Sequence, residues 1–319
     1  MKATDRLPPT PPAGAPIRPR PPLLSARRLE TLHGYALISP WLIGIVVFLL
    51  GPIVASLYLS FCRWNLLQDP VWVGLKNYTT ILSGEDKIVK SLAVTIYYTV
   101  LAVPLNVVLS ILVAVLLNQR LRGMGVFRTV FYLPAVTSGV AVAVLWAWIF
   151  SKDYGLLNWA LGWVGVPAYG WLSDERLVVP AFVFMALWGI GGNMVIYLAG
   201  LQNIPRELYE AAELDGAGAT RRFFHVTLPL LTPVIFFNMI MAVIGSFQIF
   251  TQAFIMTKGG PNDASMFYML YLFNNAFRYF KMGYASAMAW ILFLIILVLT
   301  LIQFAIARKW VYYEYKEPQ

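Results

Sequence analysis

The chain has 319 residues, of which 59% are hydrophobic and only 12% are charged. A soluble domain carries about twice that charged fraction, and here the apolar residues gather into runs long enough to cross a bilayer. The net charge of +9 lies in loops and tails, which argues against a nucleic-acid-binding surface. The single cysteine, Cys62, excludes an internal disulfide and a thiolate metal site within the chain.

The first segment, residues 1–33, is rich in proline and contains several arginines. It lacks the short apolar core and small-residue cleavage site of a usual signal peptide. We predict a disordered cytoplasmic tail here, followed by a transmembrane domain over residues 34–308 and a cytoplasmic tail over residues 309–319.

The domain between the tails contains six strongly apolar segments. Each is long enough for a membrane-spanning helix, so we predict an all-α, polytopic fold with six transmembrane helices. The segments cover about residues 35–61, 92–117, 130–150, 178–201, 230–256 and 284–307.

The basic residues predict the orientation of these spans. With six spans both termini lie on one side, and that side holds fifteen Lys and Arg residues against nine on the other. Positive-inside bias then places both termini, and the loop between the fourth and fifth spans, in the cytoplasm.

None of the predicted spans contains Asp, Glu, Lys or Arg. This counts against an ion-driven secondary transporter, although backbone carbonyls can also coordinate ions. The sequence also has no phosphate-binding loop of the Walker type. If ATP drives transport, a partner chain must bind the nucleotide, and we expect no cofactor in this chain.

Uncharged polar residues lie within two of the spans. In the fifth span, Asn238, Gln248 and Gln252 fall on one helical face with Met241 and Gly245. This face suits a wet pathway or hydrogen bonding to sugar hydroxyls, and it equally suits helix packing.

The fourth span offers a second candidate surface. Trp188 and Gly189 share a face, with Asn193 on its flank, and an aromatic ring beside small residues suits a sugar ring. Ordinary packing gives the same pattern. Ser246, which points elsewhere on the fifth helix, is a weaker candidate. The two histidines, His33 and His225, are too far apart in sequence to suggest a metal site.

The loop between the fourth and fifth spans carries the densest local pattern. A helix is predicted after Pro205, with Asp215-Gly216 as its stop and turn. A second short helix, about residues 219–225, is predicted to end at Pro229 because proline biases the preceding residue towards extended backbone.

This loop resembles the EAA loop of the inner-membrane permease subunits of binding-protein-dependent ABC importers. The one mild departure is Val226, where isoleucine is commoner. The matching residues are Glu210, Ala211, Ala212, Asp215, Gly216, Ala217, Phe223, Val226, Leu228 and Pro229.

Other segments resemble the carbohydrate-uptake branch of this family, in its MalF-like or UgpA-like subunits. They are residues 73–82, 127–136, 198–212, 256–265 and 283–293. The resemblance implies the type I importer permease fold, in the cytoplasmic membrane of a bacterium or archaeon. It also implies a MalG-like second permease subunit, two ATPase subunits holding Mg-ATP, and an extracytoplasmic sugar-binding protein.

In that family the EAA helix docks on the ATPase. The resemblance therefore implies that Glu210, Ala211, Ala212, Asp215, Gly216 and Ala217 couple this chain to its ATPase, and that the chain itself is not an enzyme. A neutral mono- or oligosaccharide is favoured as substrate, because a charged one would want a cation in the path. A glycerol-phosphate-type substrate stays open within the family. An ion-coupled transporter, a passive pore and a membrane-embedded enzyme are the alternatives outside it, and none explains the EAA pattern.

Overall fold

The computed structural model describes residues 26–84, 86–119 and 122–312. The chain divides into two compact units, Met1–Ala55 and Ser56–Gln319. Most of the predicted N-terminal tail lies outside the described residues. The part from residue 26 onward is helical, since Ala, Arg, Leu and Glu in this stretch are strong helix formers.

The described part of the first unit is helical. Helix α1 (Ala26–Gly44) continues through a π-helical segment (Ile45–Leu50) into α2 (Gly51–Ser60), which crosses into the second unit. Pro40 lies inside α1 and cannot donate to the carbonyl of Ala36. The Ser39 hydroxyl donates to that carbonyl instead, at 2.8 Å, so the group freed by the proline is still paired.

A small two-stranded antiparallel hairpin lies between the first two spans. Strands β1 (Cys62–Arg63) and β2 (Val71–Trp72) pair with Cys62 opposite Trp72. A short helix, α3 (Lys76–Leu82), leads to the long helix α4 (Asp86–Leu117). Helix α4 begins six residues before the predicted second span, so the charged residues of its first turns precede the apolar run.

The predicted third span is not one straight helix. Helix α5 (Met124–Tyr132) and a 3-10 turn are followed by α6 (Gly139–Ile149), and the two parts lie at 99° to each other. The predicted span over about residues 130–150 therefore consists of two helical parts with a bend between them. Pro134 lies in the 3-10 turn and Thr137 has extended backbone (φ −79°, ψ 140°), which ends the helical hydrogen bonding there.

The predicted fourth span is also divided. After the short helix α7 (Leu156–Gly162), α8 (Val178–Trp188) and α9 (Gly191–Gln202) meet at a bend of 48°. A Cβ on Gly191 would lie 1.9 Å from the carbonyl oxygen of Phe131 in α5. Only glycine permits this approach, which holds the start of α9 against the end of α5.

The remaining elements complete the second half of the chain. In the described residues, four helices are long and apolar enough to cross a membrane, and six spans result if each bent pair counts as one. The elements are α10 (Arg206–Leu214), α11 (Ala219–Arg222), a π-helical segment (Phe223–Thr227), α12 (Leu228–Phe247), α13 (Thr251–Met256), α14 (Tyr268–Phe273), a second π-helical segment (Asn274–Arg278) and α15 (Met282–Trp310).

Helix α4 is the central element of the second unit, because it contributes to all three clusters of buried apolar side chains. Its middle, at Tyr98 and Ala102, packs with α6 and α8. Its end, at Ile111 and Ala114, packs with α9 and α12. Its beginning, at Ile88, packs with α14 and α15.

The third of these clusters holds the loop before α15 in place. Tyr268 is almost fully buried and donates its hydroxyl to the carbonyl of Met288 at 3.0 Å. Burial raises the pKa of the Tyr268 phenol well above its ordinary value, because the phenolate would be poorly solvated there. The backbone N–H of Tyr268 donates to Thr95 on α4 at 2.9 Å, which ties the loop to the central helix.

Candidate substrate pathway and coupling loop

A cavity of about 350 Å³ lies among α4, the bend between α8 and α9, and the end of α12. Four of the seven predicted path residues line it: Asn193, Ser246, Gln248 and Gln252. Helix α4 supplies the opposite wall. Its lining residues are Tyr98, Ala102, Val103 and Asn106.

The cavity lies at an interruption of the fifth span. Helix α12 ends at Phe247, and α13 begins only at Thr251. Phe250 has φ −137° and ψ −60°, which is outside the helical region. Because the helix stops here, Gln248 and Gln252 flank a break in it. In the described part of the chain neither amide side chain has a hydrogen-bond partner, so both are free to bind a ligand in the cavity.

A pair of amides joins the two walls of the cavity. The Asn193 side-chain NH₂ donates to the Asn106 oxygen at 2.7 Å, across from α9 to α4. The Ser110 hydroxyl lies 3.4 Å from the same oxygen. These contacts leave the Asn106 NH₂ and the Asn193 oxygen available to the cavity.

Ser246 is held by its own helix and by α4. Its hydroxyl donates to the carbonyl of Val243 at 2.8 Å and accepts from the Thr99 hydroxyl at 2.9 Å. One acceptor position remains. Gly245 precedes it, and no atom lies within 4 Å of the place where its Cβ would be, so the backbone itself faces open space.

Three of the predicted path residues do not line the cavity. Asn238 is buried at 3% exposure and donates to the carbonyl of Val234 within its own helix at 3.0 Å. Trp188 packs edge-on against Trp146, with ring centroids 6.0 Å apart. Gly189 ends α8 and is exposed. The single helical face expected for the fifth span is thus divided, because Asn238 points into packing while Gln248 and Gln252 lie at the break.

Sequence reasoning missed the contribution of α4 to the cavity. Asn106 is the only amide in the predicted second span, and this could have marked it as a candidate lining residue. Its pairing with Asn193, 87 residues further along the chain, depends on how the helices pack. Tyr98 carries no comparable signal, since a tyrosine in a span also suits packing.

The lining of the cavity carries no acidic or basic side chain. Its polar groups are amides and hydroxyls beside the aromatic rings of Tyr98 and Phe250. Such a surface can donate and accept hydrogen bonds without attracting a charge, and its rings offer flat apolar area.

The loop between α9 and α12 forms the predicted helix, glycine turn and second helix. Helix α10 ends in a Schellman motif: the N–H of Ala217 donates to the carbonyl of Ala212 at 2.9 Å, and that of Gly216 to Glu213 at 3.0 Å. Gly216 has φ +75°, where residues with a side chain are strained. The sequence therefore predicted this turn for the right physical reason.

Two contacts fix the angle between α10 and the fifth span. The hydroxyls of Tyr209 and Thr227 are 3.0 Å apart. Across the turn, the Arg222 guanidinium lies 3.0 Å from the Glu213 carboxylate. Tyr209 and Phe223 also pack against the cluster formed by α4, α9 and α12. These contacts connect α10 to the base of α12.

The other face of α10 is exposed. Leu214 is 90% and Leu208 42% exposed, and Glu210 and Ala211 are exposed as well. In the described part of the chain the Glu210 carboxylate has no ion-pair partner. Exposed apolar side chains beside a free carboxylate are typical of a docking surface for another protein.

Contrary to the prediction, the helix that follows the turn does not end at Pro229. Helix α11, the π-helical segment and α12 are continuous, and Leu228 has helical backbone (φ −63°, ψ −45°). In the π-helical segment the N–H of Leu228 donates to the carbonyl of Phe223, five residues back. The wider turn makes room for the proline ring, so the helix continues.

Comparisons with known proteins agree with this architecture. Residues 76–312 match the family described as the binding-protein-dependent transport system inner membrane component. The probable ABC transporter permease protein YesP of Bacillus subtilis (strain 168) is 45% identical over 294 residues, which cover 91% of this chain and 95% of the relative.

Two further relatives have sugars in their names. The lactose transport system permease protein LacF of Rhizobium radiobacter is 35% identical, and the match covers 89% of this chain and 97% of the relative. The trehalose/maltose transport system permease protein MalF of Thermococcus litoralis is 33% identical, with coverage of 88% and 95%.

A solved structure shares the fold. One chain of a bacterial ABC transporter involved in the import of the acidic polysaccharide alginate superimposes with a TM-score of 0.77, at 22% identity, over 89% of this chain and 96% of that one. The predicted all-α importer permease fold is therefore confirmed. The chain belongs to the family of inner-membrane components of binding-protein-dependent transport systems.

Proposed function

We propose that this chain is the permease subunit of an ATP-driven importer that carries a neutral mono- or oligosaccharide into the cytoplasm by alternating access. The observation that supports this most is the uncharged cavity at the break of the fifth span. Amides and hydroxyls can satisfy sugar hydroxyls at a lower cost in the bilayer than charged groups.

The relatives with sugars in their names support the substrate class. Lactose, trehalose and maltose, the sugars that these names contain, are all neutral. A glycerol-phosphate-type substrate fits less well, because the cavity lining offers no cation to its phosphate. The likeness to the alginate transporter concerns the fold alone.

In this proposal the cavity is one subunit's part of a pathway that two subunits form together. Its volume of about 350 Å³ is at the small end of the range for ligand pockets. We propose that a second, MalG-like permease subunit closes the open side and supplies further contacts. A sugar-binding protein would deliver the substrate.

Helix α10 is proposed as the docking element for one of two ATPase subunits, which would hold Mg-ATP. Glu210, Ala211 and Ala212 would seat in the ATPase, and the Asp215–Ala217 turn would hold the angle. Helix α12 has 20 residues and so is about 30 Å long, and it connects this turn to the break at Gln248. ATP-driven movement of the ATPase would reach the cavity through this helix.

The membrane orientation is part of the proposal, with both termini and α10 in the cytoplasm. In a variant that lacks Cys62, a cysteine introduced at Arg221 should react with a membrane-impermeant reagent only in permeabilised cells. A cysteine at Asp174, in the loop before α8, should react in intact cells. Labelling of position 221 from outside would contradict the orientation and the docking role of α10.

The energy source can be tested with purified components. This chain alone should hydrolyse no ATP, and the reconstituted complex should hydrolyse ATP faster when the binding protein carries its sugar. Uptake by this chain alone in liposomes, driven by an ion gradient, would instead establish a secondary transporter.

The pathway is tested by removing the free amides. Gln248→Ala and Gln252→Ala should each lower sugar uptake about tenfold, since each removes hydrogen bonds to the substrate worth about 1–2 kcal/mol. Assembly and ATP hydrolysis without the binding protein should not change. Asn238→Ala is the matched control: it removes an amide of the fifth span that lies outside the cavity. Equal uptake by the glutamine variants and Asn238→Ala, per amount of assembled complex, would place the path elsewhere.

The coupling role is tested at the turn. Gly216→Val places a β-branched residue at φ +75° and should strain the turn by about 1–3 kcal/mol. We expect the chain to insert and fold, and ATPase co-purification or the ratio of uptake to hydrolysis to fall. Glu210→Lys should have the same effect by reversing a charge on the docking face.

Gly218→Val is the control for the strain at this turn. Gly218 has φ −67°, and no atom lies within 4 Å of the place where its Cβ would be, so valine fits there. Wild-type association and wild-type coupling in both Gly216→Val and Glu210→Lys would show that this loop does not transmit movement.

A further inference from the structure

A second cavity, of about 550 Å³, lies beside the coupling helix and apart from the proposed pathway. It forms where the ends of α4 and α9 meet the beginnings of α5 and α10. Its lining residues are Asn118, Gln119, Met124, Arg128, Leu201, Gln202, Ile204, Arg206 and Tyr209. The mechanism proposed above makes no use of this space.

The charged residues among the described part of the lining are all basic. They are Arg128 and Arg206, and no described lining residue carries a carboxylate. Arg128 donates through Nη2 to the carbonyl of Leu117 at 2.8 Å, while its Nε is buried without a partner among the described residues. Because Nε is buried, a group in the cavity would meet the remaining Nη donors of Arg128 and not Nε.

Further donors converge on the same space. Arg206 has no ion pair or hydrogen bond in the described part of the chain, and the same holds for the side chains of Asn118 and Gln202. Arg206 is the first residue of α10, whose N-terminal N–H groups add partial positive charge. Two guanidinium groups with neighbouring amides are suited to the oxygens of a phosphate group.

The position of the cavity indicates where that phosphate comes from. Helix α5 exposes Val126, Phe127 and Val130 around Arg128. An exposed apolar surface beside a basic residue is typical of a helix lying at the membrane interface. The cavity also lies at the ends of α4 and α9, where the spans leave the apolar layer, and lipid headgroups occupy this depth.

We infer that this cavity binds a phosphate group, and that its source is the headgroup of an anionic phospholipid. The lipid phosphate would bridge Arg128 on α5 and Arg206 on α10, and so connect the coupling helix to the third span. The site depends on the membrane and not on the transported substrate, so it stands or falls independently of the proposed sugar.

The experiment uses the full chain purified into nanodiscs of equal parts phosphatidylcholine and phosphatidylglycerol. After transfer to detergent, native mass spectrometry counts the lipids that stay bound. The wild-type chain should retain phosphatidylglycerol over phosphatidylcholine. Arg206→Gln should lower that preference about tenfold, because it removes one charge-assisted contact.

The matched control is Arg221→Gln, which removes an exposed arginine from the same loop but outside the cavity. It should retain phosphatidylglycerol like the wild type. Arg128→Gln should act like Arg206→Gln. If it fails to fold because the Leu117 carbonyl loses its donor, the comparison of Arg206→Gln with Arg221→Gln still decides.

Inorganic phosphate distinguishes the two sources. If it competes poorly, the bound group is the lipid headgroup. If millimolar phosphate displaces the lipid and raises the melting temperature of the wild type but not of Arg206→Gln, the phosphate site stands and its source is free phosphate.

Equal retention of both lipids by the wild type would overturn the proposal. Equal retention of phosphatidylglycerol by Arg206→Gln and Arg221→Gln would also overturn it. Loss of the lipid when the ATPase binds would overturn it too, because the cavity would then belong to that partner's docking site.

Discussion

The need to pair every backbone hydrogen-bonding group inside an apolar layer governs this structure. Unpaired N–H and C=O groups in hydrocarbon cost several kcal/mol each, so a helix can stop there only beside protein or a wet cavity. The fifth span stops at Gln248 and the fourth bends at Gly189, and residues flanking both interruptions line the same cavity. The breaks and the candidate pathway are therefore one feature. Beside Pro233, the Thr232 hydroxyl donates to the carbonyl of Pro229 at 2.6 Å, in place of the N–H that proline lacks.

Helix α12 joins the two ends of the proposed mechanism. At one end the π-helical segment lets the chain pass Pro229 without a break, so the turn at Gly216 is followed by uninterrupted helix. At the other end the helix stops at the cavity. A rigid element between two sites transmits displacement, whereas a hinge at Pro229 would have absorbed it. The wider π-helical turn, often found at functional positions, here preserves a connection.

What the sequence predicted well was local. The turn at Gly216 depends on a glycine and its immediate neighbours, and the apolar runs alone indicate the spans. The composition of the cavity was only half predicted, because a 3.6-residue period assumes an unbroken helix. Once α12 ends at Phe247, Asn238 and Gln248 no longer share a face. The pairing of Asn106 with Asn193 and the 99° bend after α5 arise from packing between distant segments, which no local pattern records.

The two cavities differ in charge, and this agrees with the depths at which the proposals place them. A cation in the middle of the bilayer would be costly and would hold an anionic substrate, whereas the proposed pathway is lined by amides, whose oxygen and nitrogen atoms can pair with hydroxyls. At the membrane surface a guanidinium meets water and headgroups, and its cost falls. Arg128 and Arg206 lie at the ends of spans, where their charges favour an anion without entering the pathway. Arg206 and Glu210 both lie on α10, one turn apart, so under the two proposals the same short helix would meet the membrane and a partner protein. Under these proposals a change in either contact would shift the angle that α12 conveys to the cavity.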